Sequence, residues 1–160
     1  MFDDMDNKTL LKRIICWVIP LGVGGLSALL SGGMDSYRLL NQPPLSPPGW
    51  VFPIVWLILY LLMGEASFRV LNSGAEPRQI KKALTAYAVQ LGINFLWSPV
   101  FFGGQMYLTA FFVLIGLWIA IFVTLRRFSA INETAGDLII PYLLWVTFAG
   151  YLNLGVFLLN

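Results

Sequence analysis

The chain has 160 residues, of which 58% are hydrophobic and only 11% charged, with ten Lys and Arg against eight Asp and Glu. A soluble domain carries about 25% charged residues, so an ordinary water-soluble globule is excluded, and a net charge of +2 gives no reason to expect a nucleic-acid partner. Histidine is absent and Cys16 is the single cysteine, which excludes an intrachain disulfide and a cysteine metal cluster.

Five apolar runs stand out, at about 14–33, 51–71, 83–102, 107–125 and 138–159. Each is near the roughly 20 residues of helix that span a bilayer core. The runs are continuous rather than alternating, which argues against a β-barrel. In lipid only helices and closed barrels satisfy the backbone. The expectation is therefore an all-α membrane protein, a single five-transmembrane-helix domain over residues 1–160.

The first run follows Lys8, Lys12 and Arg13, as a signal peptide would. It is long, however, Asp3, Asp4 and Asp6 precede it, and SALLSGG (27–33) is a poor cleavage sequence. It reads as a membrane helix. Gly24, Ala28 and Gly32 form a small-residue ridge for close helix approach. Cys16 reads as a small packed hydrophobe.

Residues 34–50, MDSYRLLNQPPLSPPGW, make the longest outer connection. Pro43, Pro44, Pro47 and Pro48 stiffen it and remove amide donors. It is expected to form a lid over the outer end of the bundle, with Arg38 and Gln42 beside the prolines. Pro47 and Pro48 also suit the entry to the next helix.

The second run carries Trp56, Tyr60 and Met63 at helical spacing. Near its end Glu65 stands four residues before Arg69, which reads as an i, i+4 pair snorkelling at the interface or, alternatively, as a buried ion site. Asn72, Gly74 and Pro77 break the chain before the third run. There Tyr87, Gln90, Asn94 and Trp97 share one face at about 100° per residue. Ala88 and Gly92 lie on the opposite, smooth face, open to another helix or a second protomer. GGQM (103–106) is so short that the third and fourth helices must be antiparallel neighbours. The fifth run aligns Tyr142, Trp145, Ala149 and Asn153. Trp17 and Trp118 belong to no polar stripe and read as anchors or packing.

Nine of the ten basic residues fall in the N-terminal tail, the second-to-third segment and the fourth-to-fifth loop; Arg38 alone falls on the other side. Positive charge stays in the cytoplasm, so the N-terminus is expected inside and the C-terminus outside. No Ser-His pair, Cys-His pair or carboxylate cluster marks hydrolytic or metal catalysis. What remains is aromatic and amide chemistry aimed at a shared interior, which suits a flat, apolar ligand with polar edges.

Three stretches carry a resemblance: YRLLNQPPLSPPGWVFPIVWLILYLLMG (37–64), QLGINFLWSPVFFG (90–103) and PYLLWVTFAGYLNLGVFLLN (141–160). With their PPxxPPxW, QxxxNxxWxxxFF and PYxxWxxFAxxLN motifs they resemble the tryptophan-rich sensory protein / translocator protein family, the peripheral-type benzodiazepine receptors, over nearly all of the chain from about residue 14. The resemblance implies a five-helix bundle, often a homodimer, with the Ala88/Gly92 face as the candidate interface. It implies a pocket for porphyrins and related tetrapyrroles, for cholesterol in animal members, and for isoquinoline carboxamide or benzodiazepine drugs. Trp50, Trp56, Asn94, Trp97, Trp145, Ala149 and Asn153 carry over by motif; Tyr60, Gln90 and Tyr142 join them from the helical stripes.

The expected role is that of a tetrapyrrole sensor, carrier or scavenger in a bacterial cytoplasmic membrane, with no required cofactor and no metal. Some bacterial members resemble a light- and oxygen-dependent protoporphyrin degrader, in which Trp56 and Trp145 would be the catalytic pair. A porphyrin or sterol transporter is a further alternative. Leu45 stands where many relatives have an aromatic, which weakens stacking from the loop. Tyr151 is followed by no Lys or Arg, so no strong sterol preference is expected. Without histidine, an iron porphyrin would lack its usual axial ligand, which favours a metal-free ring. Arg38, Asn41 and Gln42 are the candidate donors to its propionates.

Overall fold

The computed structural model describes residues 2–160, with side chains from residue 6 onward, so Asp3 and Asp4 lie outside the described side chains. Its elements in chain order are α1 (Phe2–Leu30), the short α2 (Asp35–Arg38), α3 (Val51–Leu71), α4 (Pro77–Ser98), a π-turn at Pro99–Gly103, α5 (Tyr107–Ile131), the short α6 (Glu133–Asp137) and α7 (Ile140–Leu159). The second and fifth runs were legible to within two residues. The other boundaries differ for identifiable reasons.

α1 begins well before residue 14, in a segment whose Asp3, Asp4 and Asp6 suit the positive end of a helix dipole, and it stops at Leu30. Gly32 then takes φ +74°, the left-handed conformation that ends helices. Gly32 is therefore a terminator and not part of the packing ridge. α4 starts at Pro77, with its missing N–H harmless in the first turn. It does not continue regularly to residue 102. Pro99 has no N–H to give the Phe95 carbonyl, and the next turn widens to i→i+5 spacing, closed by Gly104 N–H on the Pro99 carbonyl at 2.8 Å. α5 runs on through Arg126 and Arg127. Asn132 then caps α6, its side chain accepting from the Ala135 N–H at 2.9 Å.

Around the bundle, α1 packs on α3 and α4, α4 on α5, and α5 on α7. The core is apolar and well filled, with Met63, Leu117, Ile121, Phe128, Ile139, Tyr142 and Val156 fully buried. The outer surface is just as apolar: Leu29, Phe112, Leu144 and Leu158 are each more than 60% exposed. Such a surface needs hydrocarbon around it. Among the described residues, 6–30, 51–71, 107–131 and 133–159 are long and apolar enough to cross a membrane. α4 is of similar length, but Arg78, Lys81, Lys82, Gln90 and Asn94 dilute its hydropathy.

Two polar features tie the helices together. Glu65 reaches Arg69 at 3.1 Å, as the spacing predicts, and also takes a two-bond fork from Arg13 on α1 at 2.8 and 2.9 Å. Arg13 was not legible as its partner, because the pair joins residues 52 positions apart. Trp17 is bound to the same carboxylate at 3.3 Å, and Trp118 donates to Thr147 at 2.9 Å, tying α5 to α7. Cys16 is buried.

Candidate functional site

A cavity of about 200 Å³ lies between α1, α3 and α4. α3 contributes Phe52, Pro53, Trp56 and Tyr60; α4 contributes Asn94, Trp97 and Ser98; Phe102 closes it from the π-turn. The remaining wall is α1 and the turn after it, with Gly24, Ser27, Ala28, Ser31, Gly33 and Met34. Its surface is aromatic and aliphatic, interrupted by hydroxyls and one amide.

The floor is a directed hydrogen-bond chain. Tyr60 O–H donates to Asn94 Oδ1, Asn94 Nδ2 donates to Tyr142 Oη, and Tyr142 O–H donates to Gln90 Oε1, each at 2.8 Å. Gln90 Nε2 ends the chain on Met63 Sδ at 3.6 Å. Each amide uses its acceptor and at least one donor, so the polar atoms are satisfied where water is excluded. The chain links α3, α4 and α7. Its cavity-facing end is Tyr60 and Asn94; Gln90 and Tyr142 stand behind them. Trp56 stacks on Tyr60 at 5.5 Å and meets Tyr142 edge-on at 6.1 Å, within the range of favourable aromatic pairs. A Cβ on Gly24 would overlap the Tyr60 ring; only glycine lets α1 lie against that ring.

A second hydrogen-bond set holds the half of the bundle nearer the proline loop. Trp97 Nε1 donates to Asn153 Oδ1 at 3.1 Å, and Asn153 Nδ2 donates to the Tyr107 carbonyl at 2.7 Å. Trp97 also stacks on Phe101 at 5.2 Å. Ser27 Oγ donates to the Phe95 carbonyl at 2.8 Å, and Ser31 and Ser98 share a hydroxyl hydrogen bond at 2.6 Å.

The structure gathers Trp56, Tyr60, Asn94 and Trp97 in one wall, with Gln90 and Tyr142 as support. It does not bring α7 into the cavity. Ala149 and Asn153 line a separate void of about 20 Å³ with Tyr37, Phe101 and Leu152; Phe52, Trp97 and Phe102 form the partition between the two. Trp145 faces an open apolar groove between α3 and α7, touching Phe52 edge-on at 6.0 Å, and its buried indole N–H has no hydrogen-bond partner among the described residues. Trp50 is 67% exposed and lies outside the cavity lining. Ala88 and Gly92 are on the exposed face of α4.

The proline loop is ordered differently from a lid. Pro43 is buried against Gly155 of α7, where a Cβ would come within 2.5 Å of the proline ring. Tyr151 O–H donates to the Pro44 carbonyl at 2.8 Å. Asn41 and Asn160 exchange reciprocal bonds at 3.0 and 2.9 Å, and Gln42 turns back to the Tyr37 carbonyl at 3.1 Å. Arg38, Pro47 and Pro48 do not line the cavity. The loop is strapped to the end of α7, and the amides expected to meet propionates are engaged in that strap. Tyr37 packs against Phe52 and Phe102, and burial raises its phenol above the ordinary value.

Sequence reasoning missed the α1 wall. Ser27 and Ser31, one turn apart, were the available signal, read together with Pro99, which leaves a carbonyl in need of an outside donor.

The chain matches the family model described as the TspO/MBR family over residues 16–159. It is 36% identical to the tryptophan-rich protein TspO of Chlorobaculum tepidum, over 96% of this chain and 99% of that protein. It is 42% identical to the tryptophan-rich sensory protein of Cereibacter sphaeroides, over 78% and 76% of the two chains. It is 32% identical to the translocator protein of Ovis aries, over 84% and 80%.

Proposed function

This chain belongs to the TspO/MBR family of multi-pass membrane proteins, and from that premise we propose that it binds tetrapyrroles and other flat hydrophobic molecules inside the helix bundle. The observation that carries the reading is the wall of Trp56, Tyr60, Asn94 and Trp97: two indoles and a phenol offer ring faces, and one amide offers a polar edge. The protein acts as a sensor, carrier or scavenger of a protoporphyrin-like ring and needs no cofactor. Drug-like isoquinoline carboxamides and benzodiazepines fit the same description. In the same reading α4 is the fifth span, the N-terminus faces the cytoplasm of a bacterial cell, and the Ala88/Gly92 face meets a second copy.

The cavity of about 200 Å³ is below the roughly 300–1,000 Å³ of ordinary ligand sites. A tetrapyrrole therefore needs the partition of Phe52 and Phe102 to turn aside. That joins the cavity to the void beside Ala149 and Asn153 and brings α7 into the site. The gain comes from ring burial, at about 25 cal/mol per Å² at most.

The test is a fluorescence titration of protoporphyrin IX into the purified protein. Trp56→Ala is expected to weaken binding by at least about tenfold, the scale of losing one aromatic stacking contact together with its buried area. Trp118→Ala, on the far side of the bundle, should leave it unchanged. Equal affinities for all three proteins would overturn the assignment. Oxidative degradation through Trp56 and Trp145 would show instead as a new absorbing product under light and air, lost in Trp56→Phe while binding remains.

A further inference from the structure

The Arg13–Glu65–Arg69 cluster has no part in the ligand cavity. Glu65 Oε1 accepts from Arg13 Nη2 and Arg69 Nε, and Oε2 accepts from Arg13 Nε and Trp17 Nε1. An ionised carboxylate has about four acceptor sites, so Glu65 is saturated. One negative charge is set against two guanidiniums that stay protonated. Among the described residues, Glu65 is the only acid that ion-pairs with either arginine. Each guanidinium has five N–H donors; Arg13 commits two to Glu65 and Arg69 commits one. The arginine side chains are 42% and 40% exposed, and Glu65 only 15%. Arg13 also lies over the Trp17 and Phe68 rings, at 5.5 and 5.3 Å from their centroids, so the surplus charge reaches outward through the part-exposed edges of the two guanidiniums.

What lies beside it is hydrocarbon surface. Leu57, Leu61, Glu65 and Arg69 follow one another at four-residue spacing on α3, and both leucines are exposed. Ile14 and Val18 are exposed next to Arg13 and Trp17 on α1. A cationic fork thus stands at the end of an apolar strip running along the helices. This combination matches one class of molecule, an anionic amphiphile with a phosphate at its head.

We propose that Arg13 and Arg69 together hold the phosphodiester of an anionic membrane phospholipid, whose acyl chains lie on Leu57, Leu61, Ile14 and Val18. Glu65 fixes the angle between the two guanidiniums and leaves one net positive charge for the headgroup. Planar guanidinium forks are suited to such an oxyanion. The assignment is independent of what occupies the interior cavity.

The experiment is native mass spectrometry of the full chain in detergent, titrated with phosphatidylglycerol or phosphatidylcholine. Phosphatidylglycerol should be retained preferentially. Arg69→Gln should lose about fivefold toward it, the effect of one basic residue at an anionic surface, and nothing toward phosphatidylcholine. The two-bond Arg13–Glu65 clamp remains in that variant, so the helix pair stays joined. Arg127→Gln, whose guanidinium donates to the Lys82 carbonyl, should match the parent. Unchanged affinity in Arg69→Gln, or an equal loss in Arg127→Gln, would overturn the site. Displacement of the lipid by inorganic phosphate would overturn the choice of a lipid as its ligand.

Discussion

The Ser27 hydroxyl on α1 donates to the Phe95 carbonyl on α4 at 2.8 Å, the acceptor to which Pro99, four residues on, has no N–H to give. A helix break in one span is thereby answered by a side chain from another. Ser27→Ala should leave a carbonyl unsatisfied in an apolar setting and destabilise the protein by about 1–3 kcal/mol. In a Pro99→Ala background, which restores the helical N–H, the same substitution should cost much less. Thermal denaturation of the four proteins in detergent reads the cycle; equal costs in both backgrounds would refute the coupling.

Asn94 is the hinge of the buried chain, since it accepts from Tyr60 and donates to Tyr142. Asn94→Ala orphans the Tyr60 hydroxyl, removes the donor to the Tyr142 oxygen while leaving the Tyr142–Gln90 bond, and opens a small void. The expected loss is about 2–4 kcal/mol, from unpaired polar groups and missing contacts. Tyr142→Phe removes the acceptor for Asn94 and the donor to Gln90 without touching the cavity wall. It should destabilise by about 1–3 kcal/mol while protoporphyrin affinity stays close to that of the parent.

Gly24 is where α1 meets the Tyr60 ring. Gly24→Val forces the ring or the helix aside and should cost about 1–3 kcal/mol through overpacking. It should also abolish binding of flat ligands, because the displaced ring fills the cavity. Binding that survives with full affinity would place the ligand elsewhere.

Asn160 holds the Asn41 backbone N–H through its side-chain oxygen at 3.0 Å. Asn160→Ala should release this strap, raising amide exchange at Asn41 by about fivefold if the bond contributes the usual ~1 kcal/mol. Hydrogen exchange elsewhere in α7 should not change. Exchange at Asn41 equal to that of the parent would show that Tyr151 and the Pro43–Gly155 contact hold the loop without it.

Much of the site was legible because helical spacing is fixed. Trp56 and Tyr60 at i, i+4, and Asn94 and Trp97 at i, i+3, had to share a face of their helices, and they do line one cavity. The same argument placed Trp145 beside Ala149 and Asn153, yet α7 turns Trp145 toward the outer groove while Ala149 and Asn153 face a separate void. Periodicity gives the stripe on a helix but not the rotation of that helix against its neighbours. Trp50 was carried by motif alone, and nothing local tells whether a tryptophan at a helix entry turns in or out.

By itself the sequence determined that this is a helical membrane protein, because so few charges cannot cover a soluble surface and runs of that length match a bilayer. It also determined which polar residues would be inside, since Gln90, Asn94 and Asn153 have nowhere else to find partners in lipid. Only the tertiary structure decided that α1 closes the cavity, that Arg13 joins Glu65, and that the proline loop is bound to α7. Those outcomes depend on contacts between residues far apart in the chain, where side-chain volume and hydrogen-bond geometry, not periodicity, select the partner.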